Sequence, residues 1–425
     1  MAHNLLFIAC LAVAAYQLWR VPRGWAFLVL FIALMPKVAI AAVPGNTTPI
    51  RVDDLVVGAA LAAWFFGVRL RKEAPPSPVS FFLALYWGAA AACTLVGIAA
   101  LTIPALTGVL HAGRLLQYGL LYFLFYSSIA PDELDRLVEV VRTALLLVFA
   151  LWLGQHWTHV TGGAGVPWAT LYPTFSATYD FGGYVMLSTV LLYALWTTGG
   201  RRDVWTTTAL AVGAYLTVNS ESRASLLGLA TIVAVDVLLR ARWWAALGLV
   251  AAAGAAPYVL KSRKMLSLVS AVVALVTTFN VDVVRQAFAN DLSLALRLRN
   301  YRLAFEHWLA RPFLGDGLGG YLAYTRQYDL PASTDGWYLR VLADTGVVGF
   351  VTFVLLLAAL IWVLGRRARI ETDPLRRAIV YGAALAVAAA SVSAVLVDAF
   401  ASYKIMGVFS TIVACGTRVA ADTRT

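Results

Sequence analysis

Residues 341–364 read VLADTGVVGFVTFVLLLAALIWVL, an almost uninterrupted apolar run. A membrane-crossing helix needs about 20 such residues, so this run is a span. It is followed at once by Arg366, Arg367, Arg369, Arg376 and Arg377. Arginines collect on the cytoplasmic side of a membrane protein, which makes the run a crossing that ends inside. The same reading applied outward predicts spans at 4–19, 24–43, 53–68, 79–100, 103–128, 137–156, 180–198, 204–219, 223–239, 243–260, 377–397 and 400–418, thirteen in all with the first. Of the 425 residues, 61% are hydrophobic and only 13% charged, far above the roughly 45–50% apolar content of soluble domains. A soluble fold is excluded. The expected fold is an all-α polytopic membrane protein of 12 to 13 transmembrane helices.

The net charge of +11 belongs to membrane topology rather than to nucleic-acid binding. Arg20/Arg23, Arg69/Arg71/Lys72, Arg201/Arg202, Arg240/Arg242 and the 366–377 cluster fall in alternate connections, as a single basic face requires. The opposite, external face then carries the joins 44–52 and 220–222, the loop 157–179 and the long stretch 261–340. Residues 265–279 are apolar but short for a span and read as interfacial or re-entrant. The chain divides into a bundle at 1–260, an external catalytic loop region at 261–340, and C-terminal helices with a cytoplasmic tail at 341–425. Ala-Pro-Pro-Ser-Pro at 74–78 is a stiff connector. The first apolar run follows Met-Ala-His-Asn without a basic leader and reads as a retained helix. Cys10, Cys93 and Cys415 lie in apolar stretches without metal spacing, and no disulfide is expected.

Chemistry is to be sought in the long external stretch. Its helical pattern at 284–309 puts Arg297, Asn300, Tyr301 and Ala304 on one face; Pro312 ends it, and Gly315, Gly317, Gly319 and Gly320 follow. Gly315, Gly317 and Gly320 match G-x-G-x-x-G, but without a βαβ context the turn serves close backbone approach rather than a nucleotide. The five histidines show no zinc spacing. Ionisable groups inside spans need a partner or a functional role. Lys37, Arg114 and Asp398 are the plainest examples, and Arg114 is placed nearest a ligand, with structural pairing as its alternative. Arg223 opens a span directly after Glu221-Ser222. At headgroup depth its planar donors suit a phosphate, against pairing with Glu221 or snorkelling. Arg297, Arg299, Arg302 and Arg311 carry the same chemistry or form a solvated face.

This order of motifs resembles the O-antigen ligase and polymerase family, multi-span bacterial enzymes that transfer glycans from a polyprenyl-diphosphate carrier. The matches are Ser222-Arg223, Arg297 followed by Tyr301, Pro312 with Gly315, Gly317 and Gly319, then Tyr338-Leu339 and Gly346-x-x-Gly349. Asp335-Gly336 stands where the family usually has His-Asn. The resemblance implies a C-type glycosyltransferase-like fold in the bacterial inner membrane, active toward the periplasm. Its substrates would be an undecaprenyl-diphosphate-linked oligosaccharide and a glycan or lipid-linked acceptor hydroxyl. The resemblance implies Asp335, Arg223 and Arg297 as catalytic residues, the two arginines on the diphosphate and Asp335 as base or orienting group. Arg299, Arg302, Arg114, His307, Tyr338 and Gly317 complete the expected binding set, and His307 is an alternative imidazole. Trp152, Trp157 and Trp168 are candidate walls for the lipid tail or ordinary interfacial aromatics. No cofactor or metal is expected, and inversion at the anomeric carbon is. Replacement of His-Asn favours a polymerase over a ligase; a lipid-linked glycan flippase is the reading from another class, and an inactive family member a third.

Overall fold

The computed structural model describes residues 24–35, 39–41, 50–69, 76–157, 175, 177–220, 222–240, 292–328 and 336–422. The expected spans 4–19 and 243–260, the short run 265–279, and Lys37, Glu221 and Asp335 lie outside the described residues. The protein is an all-α polytopic bundle. Its helices are α1 (Gly24–Leu34), α2 (Val52–Trp64, continued by a π turn Phe65–Arg69), α3 (Ser80–Ala99), α4 (Ala105–Ser128), α5 (Leu134–Trp157), α6 (Thr178–Thr198), α7 (Val204–Asn219), α8 (Arg223–Arg240), α9 (Leu292–Ala310), α10 (Gly320–Gln327), α11 (Trp337–Ile370), α12 (Pro374–Ser393) and α13 (Tyr403–Ala421). Each expected span within the described residues falls on one of them, the run 24–43 only over its first part. Among the described residues six helices (α3, α5, α6, α11, α12 and α13) are long and apolar enough to cross a membrane by themselves.

One expected span is shorter than its apolar run. The run 24–43 is helical only to Leu34, and Ala39–Ala41 pairs antiparallel with Ile50–Arg51 instead. Pro36 follows in the sequence, and the residue before a proline is pushed out of the helical region. Asp398 also differs from its expected place: it stands in the connection between α12 and α13, not within a span.

Helix α6 is the axis, with 83% of its apolar window enclosed by neighbours against 28% for the peripheral α3. Lipid is as apolar as a leucine side chain, so membrane helices associate through close packing of small residues. Gly182 of α6 lies directly against Ser220, Ser222 and Ser225, and Gly183 against Ile405 of α13. Buried hydroxyls satisfy themselves along their own helices, as Ser188 does on Tyr184 O (3.0 Å) and Thr189 on Val185 O (2.7 Å), which the lack of water in a bilayer core demands.

The two ends of the bundle differ in chemistry. One gathers the helix ends at 128–136, 198–204, 366–376 and 418–422, with Asp203 capping α7 through Thr206 N (2.8 Å) and Asp373 capping α12 through Arg376 N (2.7 Å); acidic N-caps satisfy free N–H groups. Glu371 there accepts from Arg367 (2.8 Å) and Arg376 (3.4 Å). The other end carries the starts of α6, α8 and α11, and the whole of α9 and α10.

Candidate functional site: a broken helix and a buried charged cavity

The site end is built on an interruption of α11. Gly346 has φ 62° and ψ −164°, a region open essentially to glycine alone. A break of this kind strands backbone groups on both sides, and a membrane protein must pair them within itself. The segment after α9 does so. Asp316 N and Gly317 N donate to the carbonyls of Ala343 (3.3 Å) and Asp344 (2.7 Å), while Val347 N and Val348 N donate to Pro312 O (2.8 Å) and Phe313 O (3.2 Å). A side chain on Gly346 would collide with the Phe313 carbonyl. On its other side the glycine turn lies on α3: Leu318 N donates to Thr94 Oγ1 (3.1 Å), Thr102 Oγ1 to Asp316 O (2.9 Å), and Gly317, at φ 94°, packs tightly on the Thr94 backbone and Ile103. Gly317 is therefore placed for close approach between α3 and α11.

The carboxylate of Asp344 completes the junction. It accepts from Gly319 N (3.2 Å) and Tyr321 N (3.0 Å) at the start of α10, where N–H groups are otherwise unpaired. One turn earlier, Arg340 stands between two acids, with Nε 3.7 Å from Asp344 and Nη1 3.2 Å from Asp398. Its guanidinium also lies 5.8 Å from the Trp337 ring. Buried charges persist only when paired and hydrogen-bonded, so Arg340, Asp344 and Asp398 tie α11 to the α12–α13 connection.

Arg340 and Asp344 line a cavity of about 230 Å³, together with Arg114, Asp54, His111 and Asp180. Arg114 donates to Asp54 Oδ2 (3.3 Å), joining α4 to the start of α2. His111 Nε2 and Ser402 Oγ are buried there without a hydrogen-bond partner among the described residues. The cavity thus offers two guanidiniums, each beside a carboxylate, and polar atoms left open.

The expected site residues fall around this cavity rather than all within it. Arg114 lines it. Arg223 is buried at the first position of α8, and its neighbour Ser222, whose hydroxyl accepts from Ser225 N (3.3 Å), packs on Gly182. That puts Arg223 beside the turn of α6 whose Tyr179 and Asp180 face the cavity. Arg297 is half-buried one turn before Tyr301; the Tyr301 hydroxyl donates to Val395 O (2.5 Å) and its ring lies against Gly336. Arg297 therefore shares the face of α9 that meets the start of α11, next in sequence to Asp335. Arg299 is exposed, and Arg302 is 81% exposed and paired with Glu306 (2.7 Å). His307 Nε2 stands 2.6 Å from Asp316 Oδ2, a close contact without hydrogen-bond alignment. Tyr338 turns into the core, donating to Ser391 O (3.0 Å) and packing on Phe350 and Phe353. Trp152 stacks on Phe149 inside the bundle, and Trp168 and the Trp157 side chain lie outside the described residues.

Sequence reasoning does not single out Arg340, Asp344 or His111. A signal for the first two is present: opposite charges at i and i+4 near the head of a span, where either charge alone is costly. His111 carries no comparable signal.

No curated protein matches the chain. Residues 207–354 match the family model described as O-antigen ligase. That stretch runs from α7 through the break in α11. It holds Ser222-Arg223, Arg297, the glycine turn, Arg340 and Asp344, and leaves Arg114, Asp54, His111 and Asp398 outside. The match takes in about a third of the chain, and over that stretch the protein is similar to the O-antigen ligase family.

Proposed function

We propose that the protein transfers a glycan from an undecaprenyl-diphosphate carrier to an acceptor hydroxyl at the non-basic end of the bundle, on the periplasmic face of the bacterial inner membrane. The observation that carries this reading is the family match over the segment that forms the broken-helix junction and much of the cavity wall. The basic residues at the opposite end support the orientation, since they mark the cytoplasmic side.

Arg223 and Arg297 hold the diphosphate. Both are permanently charged, and their fixed donors act more strongly in a partly desolvated site than in water. They stabilise the negative charge that grows on the carrier as the glycosidic bond breaks, without a metal. Asp335 orients the acceptor hydroxyl or takes its proton, and attack opposite the departing diphosphate inverts the anomeric carbon. A carboxylate with an ordinary pKa of about 3.9 is a weaker base than imidazole, so Asp335→His retains transfer whereas Asp335→Asn loses it. Arg114 adds a cation at the cavity wall. His307 stands beside Asp316, which favours a positioning role for it.

The test is purified protein in nanodiscs with a carrier-linked oligosaccharide, wild type beside Arg223→Ala, Arg297→Ala and Asp335→Ala, with glycan products resolved on gels. Loss of product in all three supports the assignment, and undiminished product in all three overturns it. Self-extension of the carrier-linked glycan identifies a polymerase, favoured here by the Asp335-Gly336 pair. Transfer only when lipid A core is supplied identifies a ligase.

A further inference from the structure

Beside the small charged cavity lies a second, open one of about 1030 Å³, between the α3–α4 connection and the α9–α10 hairpin. Its two walls differ. The α3–α4 side is apolar, with Leu101, Ile103 and Pro104 facing inward. The opposite side is polar and aromatic. Tyr324 lies 4.3 Å, ring to ring, from His307 and 5.0 Å from Tyr328, and Asp316 is held there by Arg311 (2.8 Å). Arg326 and Gln327 are exposed at its edge. His111 and Leu322 line both this groove and the charged cavity, so the two adjoin.

We propose that this groove seats the saccharide portion of the substrate; the assignment rests on the glycosyltransferase reading above. A pyranose ring has apolar C–H faces and hydroxyls around its edge. An aromatic ring facing an aliphatic wall accommodates the faces, and a planar guanidinium, an amide and a carboxylate at the rim accommodate the hydroxyls. A polyprenyl tail would take the Arg311–Asp316 ion pair, Arg326 and Gln327 out of water and offer them no hydrogen bond in return, which is costly. The volume is at the upper end of the range for small-ligand pockets, roughly 300–1,000 Å³, so it suits more than one sugar ring. Continuity through His111 lets one molecule place its sugars in the groove and its diphosphate toward the cavity.

Arg326 and Gln327 are exposed, so Arg326→Ala/Gln327→Ala leaves folding intact, and Tyr324→Phe keeps the ring that Tyr324→Ala removes. Saturation-transfer NMR on nanodisc-embedded protein uses a free repeat-unit oligosaccharide lacking lipid and phosphate, with undecaprenyl phosphate lacking sugar as the second probe. The oligosaccharide gives transfer with wild type and Tyr324→Phe and weakens about two- to tenfold with Tyr324→Ala and the double variant. In turnover, KM rises in the weakened variants with kcat largely kept. A rise for the donor places the donor's sugars in the groove, and a rise for the acceptor places the acceptor's. Equal oligosaccharide binding by wild type, Tyr324→Ala and the double variant overturns the proposal, as does competition for the groove by undecaprenyl phosphate alone. Wild-type protein that binds the oligosaccharide but transfers nothing removes the glycosyltransferase reading and leaves the saccharide groove standing.

Discussion

The two ends of the bundle use charge in opposite ways. At the basic end, charges fasten helix termini: Arg201 reaches Asp135, Glu139 and Asp203, and Glu371 collects Arg367 and Arg376. These are short-range clamps at caps and connections, several of them open to solvent. At the other end a transmembrane helix is broken at Gly346, its stranded backbone groups are paired by a glycine turn, and Arg340 is sunk between Asp344 and Asp398. The first arrangement stabilises termini that any polytopic helix has. The second gives up regular structure where charged side chains line a polar cavity, which makes that end the candidate functional site.

That contrast gives a ranked series of substitutions. The largest effect belongs to Gly346→Ala. The new Cβ meets the Phe313 carbonyl in a backbone region costing about 1–3 kcal/mol, with a further ~1–3 kcal/mol for overpacking. Loss of monodisperse protein on size-exclusion chromatography is the expected result; a variant as stable as wild type breaks the account of the junction. Next is Asp344→Ala, which removes the acceptor of two N–H groups and a partner of Arg340. Breaking a buried pair costs about 3–5 kcal/mol, and Asp344→Asn, which keeps an acceptor oxygen, loses less. Thermal unfolding in detergent ranks the two.

At the basic end the effects shrink. Burial raises the Glu371 carboxyl, but hydrogen bonds from Arg367 and Asp373 N and the charges of Arg367 and Arg376 outweigh it and hold the carboxyl below its ordinary 4.5. A depressed folded value stabilises above the unfolded pKa, and that contribution is lost as pH falls through the folded one. Glu371→Gln should therefore lower stability at neutral pH by about 1–2 kcal/mol, and the gap to wild type should narrow as pH drops below the ordinary 4.5 and close once it passes the folded value. A gap that persists in acid contradicts the ion-pair assignment. The smallest effect is Arg302→Ala: its i,i+4 pair with Glu306 is exposed and screened by solvent, so stability should be essentially unchanged. Unchanged transferase kinetics would assign Arg302 to the solvated face, and lost activity would return it to the binding set.

Much of this is legible in the sequence. Ser222-Arg223, Arg297 with Tyr301, and the glycines after Pro312 stand out by order and spacing, and the structure brings each to the same end of the bundle. Arg114 draws notice because an arginine inside a span needs a partner. The partner, Asp54, stands 60 positions earlier and draws no notice by itself. His111 looks ordinary, because a histidine within an apolar helix takes its meaning from what packs opposite, here Gly319 and the two cavities. Gly346-x-x-Gly349 is visible as a motif, but not as a helix break answered by backbone groups some thirty residues earlier.

The sequence by itself determined that this chain is a helical membrane protein and sorted its connections between two faces, because hydropathy, span length and arginine placement are local properties summed along the chain. Only the tertiary structure decided which charges neutralise one another and where the cavity opens. Arg340 meets Asp398 across 58 positions and Arg114 meets Asp54 across 60, and pairings at that separation are set by which helices pack side by side.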